Sequence, residues 1–398
     1  MLHSVTARRR VLLLLLVACG MPAVPAHAQA PDWAGPATPN DFDLSLALGR
    51  RFTTNAGLQS DGQGSEGDSI TDLRADFTGR RSSRRTAWSA AYDSFYTRYG
   101  RNAQFDTINH ALNFDGRYLV TRNSRLSLVE RFFYSQNPLQ IGTAESPGEV
   151  IILTRQTKRW RSFSDATTDT RLSPSLTLHA EASARIERLD LSPPVDTDTY
   201  SARLGLQKQI GREDSISSTY TYSSFNFHRE GVADAEAQGV DVSWSHGTPG
   251  RTDWMVSAGV QNVTREGARQ NRVTAGASLH QPFRRLDFVS GYRRSLDADA
   301  GVATVTEAQS AYAGISGRLG RSASLGIRGE YGTRDSIFES GDRLALTYTG
   351  VAIQGSIALN PRLSLSGEAR RRKQDVSAGA GDDLTVDTLF LGLVFRVL

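Results

Sequence analysis

One pattern repeats through residues 41–398 and excludes most folds: segments of about ten residues in which apolar and polar side chains alternate. Residues 176–187 place Leu, Leu, Ala, Ala, Ala and Ile in one register and Thr, His, Glu, Ser, Arg and Glu in the other. A period of two sends successive side chains to opposite faces of a strand, whereas a helix needs apolar residues three and four apart. The repetition therefore predicts an all-β chain whose strands each have one apolar face.

The connections between the segments alternate in length, which favours a membrane barrel over a soluble sandwich. Short turns fall near residues 123–124, 173–174, 211–212, 249–250, 283–284, 320–321 and 360–361, and long polar loops include 60–68, 297–303 and 375–383. Short periplasmic turns and long outer loops are typical of bacterial outer-membrane barrels. We therefore predict a transmembrane antiparallel up-and-down β-barrel of about 18 strands. Sixteen is the alternative, because residues 136–159 are either one outer loop or contain a strand pair.

Aromatic residues gather near the ends of several predicted strands. The groups are Tyr92, Phe95, Tyr96 and Tyr99; Phe132, Phe133 and Tyr134; and Tyr220, Tyr222, Phe225 and Phe227. Aromatic rings are enriched where a barrel crosses the two bilayer interfaces. We expect these residues to form the interfacial girdles.

The N-terminus has the order of a secretory signal. Arginines at 8–10 precede an apolar run at 11–17, and Ala26-His27-Ala28 ends the stretch before Gln29. Seven apolar residues cannot span a bilayer as a helix, which needs about 20. We predict a signal peptide at 1–28 cleaved between Ala28 and Gln29, a periplasmic tail at 29–40 and a barrel at 41–398. Residues 16–19 also match a lipobox, so lipid attachment at Cys19 is the alternative; both readings export the chain.

The apparent basicity of the chain lies largely in this leader. The full sequence has 46 Lys and Arg, 42 Asp and Glu and a net charge of +4, but residues 1–28 contain three arginines and no acid. The mature chain is therefore nearly neutral and has no polybasic block that would follow nucleic-acid phosphates. Cys19 is the only cysteine, so neither disulfides nor thiolate metal sites are expected. The histidines fall in separate strands and the twelve-residue calcium loop is absent, so we predict no metal and no cofactor.

The polar register carries many charges. The candidate lumen-lining residues are Arg74, His179, Glu181, Arg185, Arg203, Arg318, Arg328, Glu330, Glu368 and Arg370. Burying that many ions in a packed core is costly even when they pair, so these side chains must meet water. A barrel of this size can enclose a water-filled lumen. We predict a conduit for a hydrophilic solute; the alternative is that opposite charges on neighbouring strands pair to stiffen the wall.

One motif resembles a segment of known membrane enzymes. Asn109-His110-Ala111-Leu112-Asn113 resembles the histidine segment of outer-membrane phospholipases, in which a serine nucleophile follows the histidine by two positions. That position is Leu112 here, and a histidine without a hydroxyl partner cannot perform Ser-His chemistry. We predict no catalytic residue and no enzyme activity, and we expect His110 to face the lumen or lie near a loop.

Four segments carry a family resemblance: Tyr-Asp-Ser-Phe-Tyr-Thr-Arg-Tyr at 92–99, Asn109-His110, Asn-Ser-Arg-Leu-Ser-Leu at 123–128 and Leu-Gly-Leu-Val-Phe-Arg-Val-Leu at 391–398. The chain resembles outer-membrane barrels encoded beside exopolysaccharide export genes, including those of PEP-CTERM/exosortase systems. The resemblance covers most of residues 41–398 and implies a porin-like barrel in polysaccharide secretion, with polysaccharide and periplasmic export proteins as partners. It implies no active site.

The predicted location is the bacterial outer membrane. Membrane lipid and the barrel assembly machinery are the partners expected of any such barrel, and nucleic acid is not one. Two other functions remain open at this point: a structural or adhesive barrel without transport, and an outer-membrane lipid hydrolase.

Overall fold

The computed structural model describes residues 41–55, 67–135, 158–190, 196–248, 252–298, 304–338, 345–376 and 383–397. The signal peptide, its cleavage between Ala28 and Gln29, the Cys19 alternative and the tail at 29–40 lie outside the described residues.

The described residues form 18 strands and one short 3-10 helix. The strands are β1 (Asp41–Thr53), β2 (Asp68–Ser82), β3 (Thr86–Tyr99), β4 (Thr107–Leu119), β5 (Ser124–Ser135), β6 (Arg159–Ser173), β7 (Leu176–Leu189), β8 (Asp196–Gln209), β9 (Asp214–His228), β10 (Ala235–Gly247), β11 (Asp253–Arg265), β12 (Ala268–Pro282), β13 (Leu286–Ala298), β14 (Val305–Leu319), β15 (Ala323–Ser336), β16 (Ala345–Asn360), β17 (Leu363–Val376) and β18 (Leu384–Arg396). The 3-10 helix, Ala103–Phe105, lies between β3 and β4. Among the described residues, no helix is long and apolar enough to cross a membrane.

The strands close into a ring. Each pairs antiparallel with the next in sequence, and β18 pairs with β1 from Ser45↔Arg396 to Thr53↔Thr388. Neither terminal strand is left with a free edge, which is the condition for a sheet to lie in lipid. The prediction of an 18-stranded up-and-down barrel is confirmed.

The 16-strand alternative is wrong for the described chain. Residues 136–157, on which that alternative turned, lie outside the described residues. The wall passes directly from β5 to β6, which pair from Ser124↔Thr170 to Ser135↔Arg159.

Strand register divides the side chains into an outer and an inner set. Leu46 and Leu48 lie opposite Phe395 and Leu393, and all four are about half exposed. The alternate register contains the charges, and Arg185 of β7 contacts Asp297 of β13 at 3.2 Å. Strands six positions apart in the wall can touch only through the interior, so the charged register faces inward.

The predicted alternation of short and long connections has one exception among the described residues. At the end of the barrel where long loops were expected, β11 and β12 are joined by Glu266 and Gly267 alone. Both have positive φ, 48° and 83°, as a two-residue type I′ hairpin requires. Gly267 adopts this backbone without the steric cost that Glu266 incurs.

The wall is incomplete between β12 and β13. These strands pair only from Ala275↔Arg294 to Pro282↔Asp287, so the last four residues of β13 leave the ladder. Near them, an apolar cluster forms inside the loop end of the barrel; its members are Phe225, Phe227, Ala235, Ala237, Val263, Ala298, Val305, Ile337 and Phe338, with Val232 and Leu296 packed against it. The cluster joins the inner faces of β9, β10 and β11 to the ends of β13, β14 and β15.

The prediction of interfacial aromatics is right for only part of the set. Tyr92, Tyr96, Phe132 and Tyr220 are exposed on the outer register. Tyr99, Phe225 and Phe227 are instead buried on the inner register. Neighbouring residues of a strand point to opposite faces, so a run of aromatics in the sequence cannot place all its rings in lipid.

Candidate functional site: the charged lumen

The ten predicted lumen residues all lie in the inner register. They occupy β2, β7, β8, β14, β15 and β17: Arg74, His179, Glu181, Arg185, Arg203, Arg318, Arg328, Glu330, Glu368 and Arg370. Each strand is paired on both sides without a register shift at these positions. The alternation seen in the sequence therefore assigns these side chains to the correct face of the barrel wall.

These residues form separate groups around the wall. Glu181 contacts Arg203 at 3.0 Å and His179 at 3.7 Å. Glu368 contacts Arg370 at 2.7 Å within β17, and Glu330 contacts Arg328 at 3.7 Å within β15. Arg74 lies apart on β2, 2.7 Å from Asp93. Many inward charges therefore have partners on the same or the adjacent strand. This agrees with the alternative in which opposite charges pair to stiffen the barrel wall.

A large cavity, here called the lumen cavity, occupies about 930 Å³ of the interior and brings residues from β4 to β15 together. Its charged lining residues are Arg131, Arg159, Arg161, Arg185, Arg203, Arg293, Arg294, Arg334, Glu181, Asp241 and Asp297, together with His179. Eight guanidinium groups and three carboxylates line the cavity. Glu187 and Glu307 lie outside this lining but pair with four of the arginines, so the excess is three positive charges with histidine neutral.

Glu187 is the buried acid beside this cavity. Its side chain is 1% exposed, and it pairs with Arg159, with Arg161 at 3.5 Å and with Arg185 at 3.4 Å. Arg161 lies directly opposite Glu187 in the β6–β7 ladder, and Arg159 and Arg185 flank it in the same register. One carboxylate therefore holds three guanidinium groups at the inner surface.

Asp297 extends this network across the interior. It lies 3.2 Å from Arg185 of β7 and 3.2 Å from Arg334 of β15, whose side chain is 2% exposed. The sequence placed Asp297 in a solvated outer loop, and the structure places it in β13. The prediction failed because the alternation of β13 continues beyond the point where β13 leaves β12.

Sequence reasoning also omitted Arg159, Arg161, Arg293 and Arg334 from the candidate list. Arg334 shares the inner register with Arg328 and Glu330, and Arg161 shares it with Asp165 and Asp169. If the alternation had been extended to the loop ends of β6 and β15, it would have assigned Arg161 and Arg334 to the inner face. The sequence pattern could not show that these arginines pair with Asp297 and Glu187, because those contacts join different strands.

A second inner cavity of about 950 Å³ lies at the short-turn end. Four arginines line it, Arg284, Arg285, Arg318 and Arg321, against Asp287 and Glu368. Positive charge therefore exceeds negative charge at both ends of the interior. Guanidinium groups hold carboxylates or phosphates by paired N–H donors, so the chemistry available in the lumen is anion attraction.

His110 lies near the loop end of β4, as one of the two expectations had it, but it does not face the lumen. It lies on the outer register of β4, where its Nδ1 is 2.9 Å from the hydroxyl of Tyr92 and its ring stacks on Tyr92 and Tyr134. It faces away from the lumen because it alternates with Asn109 and Ala111, which point inward and are buried. Leu112 lies on the same outer face, so His110 has the setting of a girdle residue.

No group of three or more potential metal ligands occurs among the described residues. Asp198 contacts Arg188 at 2.6 Å and His228 at 2.9 Å.

The sequence matches no protein-family model. It also matches no curated protein.

Solved structures resemble this chain at low similarity. OccK2 (OpdF) of Pseudomonas aeruginosa is 12% identical with a TM-score of 0.48, covering 90% of this chain and 99% of its own, in a complex with glucuronate. The outer membrane protein OpdK of Pseudomonas aeruginosa is 11% identical with a TM-score of 0.46, covering 89% and 99%. The siderophore receptor PirA of the same organism is 11% identical with a TM-score of 0.44, covering 89% and 80%. Similarity this low assigns neither a family nor a solute, and the 18-stranded architecture rests on the strand pairing itself.

Proposed function

We propose that the chain is a porin-like pore of the outer membrane that conducts hydrophilic solutes and prefers anionic ones. The observation that carries the proposal is the lining of the lumen cavity, with eight arginines against three carboxylates. A barrel of 18 strands is wide enough for an aqueous channel, and an apolar outer register suits contact with lipid.

The positive excess is local to the lumen. The sequence without residues 1–28 has nearly equal numbers of acidic and basic residues. Charges of one sign gathered in a cavity with low-dielectric walls focus the field and raise the local concentration of counter-ions. The inner face therefore attracts anions although the chain as a whole is close to neutral.

We further propose that the natural solute is an anionic polysaccharide and that the pore serves its secretion. The resemblance of residues 92–99, 109–110, 123–128 and 391–398 to barrels of exopolysaccharide loci motivates this. Polysaccharides built from uronic acids carry a carboxylate on each sugar, which suits arginines distributed over several strands of the lumen.

Planar bilayers test the pore. We expect stable conductance, a reversal potential that indicates chloride preference in a KCl gradient, and block by alginate oligomers at lower concentration than by neutral dextran. The double substitution Arg131→Gln and Arg293→Gln should reduce the chloride preference several-fold. Arg98→Gln, on the outer register of β3, is the matched control and should leave it unchanged. Equal chloride and potassium permeability in the unmodified protein would refute the anion preference.

One observation favours a second candidate, a structural barrel closed at its loop end. The apolar cluster of Phe225, Phe227, Ile337 and Phe338 joins strands from different parts of the wall across the interior. A folded protein that leaves the bilayer silent at all voltages would support this candidate over the pore. Deletion of the gene tests the role in secretion. Loss of surface and secreted polysaccharide would support that role, and unchanged amounts of both would contradict it.

A further inference from the structure

Glu130 lies on the lipid-facing side of the wall. It belongs to the outer register of β5, between the exposed Leu128 and Phe132, and lies opposite Phe114 of β4 and Ser164 of β6. Carboxylates on the lipid face of a barrel destabilise it unless the surroundings are polar. A charged residue in that position therefore needs a polar partner.

The depth of Glu130 makes the position unusual. Tyr134, four residues above it, stacks with His110 of the aromatic girdle at the loop end. Leu126, four residues below it, lies opposite the exposed Tyr118 near the short-turn end. Four strand residues span about 13 Å, so Glu130 lies midway between the two aromatic levels.

The neighbouring outer surface is polar and small. Ser162 donates a hydrogen bond to Glu130 at 2.9 Å, and the hydroxyl of Ser164 also donates to it. The next outward residues of β6 are Ala166 and Thr168, and the outward residues opposite them on β7 are Ala182 and Ala180. We call Glu130, Ser162, Ser164, Ala166 and Thr168 the Glu130 patch.

The rest of the barrel has a different outer surface. Val240, Val242, Val256, Val260 and Val273 of β10 to β12 are each about half exposed. Within the two fully described strands β6 and β7, by contrast, Leu172 is the one large apolar side chain among the strongly exposed ones. Small and hydroxyl-bearing residues let two membrane proteins approach closely and hydrogen-bond, whereas they gain little from lipid.

We propose that the Glu130 patch is the contact surface between two copies of this chain. The patch contains both an acceptor with free lone pairs, the Glu130 carboxylate, and hydroxyl groups that can donate and accept, so it is complementary to itself. In a dimer with its two-fold axis along the membrane normal, each residue meets partner residues at its own depth. The Glu130 carboxylate of one copy then lies against the β6 hydroxyls of the other, and a serine that donates to Glu130 of its own copy can rotate to donate to the partner's carboxylate instead.

Cysteine cross-linking tests the contact. Cys19 is the only cysteine of the sequence, so a Cys19→Ser background leaves no competing thiol. Ala166→Cys is placed in the patch, and Ala313→Cys, on the outer register of β14 eight strands away, is the matched control. In native membranes treated with a short bis-maleimide, we expect at least tenfold more cross-linked dimer for position 166 than for position 313. Equal yields, or cross-linking of position 166 to a protein of another mass, would overturn the proposal.

A second measurement separates the contact from a folding defect. Glu130→Leu should lower the dimer fraction in native mass spectrometry from lipid nanodiscs by at least tenfold, while the heat-dependent shift of the folded barrel in SDS gels persists. Glu236→Leu, on the outer register of β10, should leave the dimer fraction unchanged. A dimer fraction that Glu130→Leu does not lower, or a wild-type protein that is monomeric in nanodiscs, contradicts the proposal.

Discussion

Arg185 Nη1 and Asp297 Oδ1 lie 3.2 Å apart across the interior of the barrel, although 112 residues separate them in the sequence. Arg185 also contacts Glu187, and Asp297 also contacts Arg334, so the pair links β7 to β15 through the tip of β13. This tip is the part of β13 that has left the ladder with β12. On the side where β13 no longer pairs with β12, these ion pairs hold the β13 tip in place of backbone hydrogen bonds.

Asp297→Asn should loosen this attachment. The substitution removes charge-assisted hydrogen bonds to Arg185 and Arg334, and we expect the free energy of unfolding to fall by about 2 kcal/mol. It also removes a negative charge from the lumen cavity, so chloride preference should rise. Guanidinium unfolding in vesicles and reversal potentials measure the two effects. Asp335→Asn, on the outer register of β15, is the control; if both variants lose the same stability, the cross-lumen pair is not the cause.

Glu187→Gln should be more damaging. Glu187 is 1% exposed and faces three arginines, so neutralising it leaves like charges close together with little water. Breaking a buried ion pair by removing one partner costs about 3–5 kcal/mol. Adding Arg161→Gln should restore part of the loss, measured as a free energy of unfolding above that of Glu187→Gln alone. Simple additivity of the two losses would argue against coupling between these residues.

Anion preference should depend on ionic strength. The lumen arginines act on solutes through water, and the Debye length falls from about 10 Å at 0.1 M salt to about 3 Å at 1 M. We therefore expect the chloride-to-potassium permeability ratio to decline steadily as KCl is raised over this range. A ratio that stays constant would mean that pore size, rather than lumen charge, sets the permeability.

Phe390 should constrain two glycines at the β1–β18 closure. Its ring lies on the inner face against Gly49 and Gly392, where an added Cβ would overlap it. Gly49→Ala should lower the free energy of unfolding by about 1–3 kcal/mol through overpacking, and Phe390→Ala in the same chain should relieve part of that loss. Gly329→Ala, where a Cβ meets no atom closer than 4.0 Å, is the control and should not destabilise the barrel. Similar losses at both glycines would show that the Phe390 ring is not responsible.

The sequence by itself determined the strands and the face of most of their residues. Alternation is a local property: once Glu181 and Arg185 share a register with each other and oppose Ala182 and Ala184, no distant contact is needed to assign them inward. The same alternation supported a closed barrel of 18 strands, because every segment needed lipid on one side and water on the other.

Tertiary structure decided what the residues on each face meet. In residues 124–135 apolar side chains occur in both registers, so only pairing with β6 placed Glu130 in lipid and Val129 inside. The contact of Arg185 with Asp297 needed the ring to close and the β13 tip to leave the wall, and neither event has a local signature. Local periodicity sets the orientation of a side chain, whereas its partner across a lumen is set by the curvature and closure of the whole sheet.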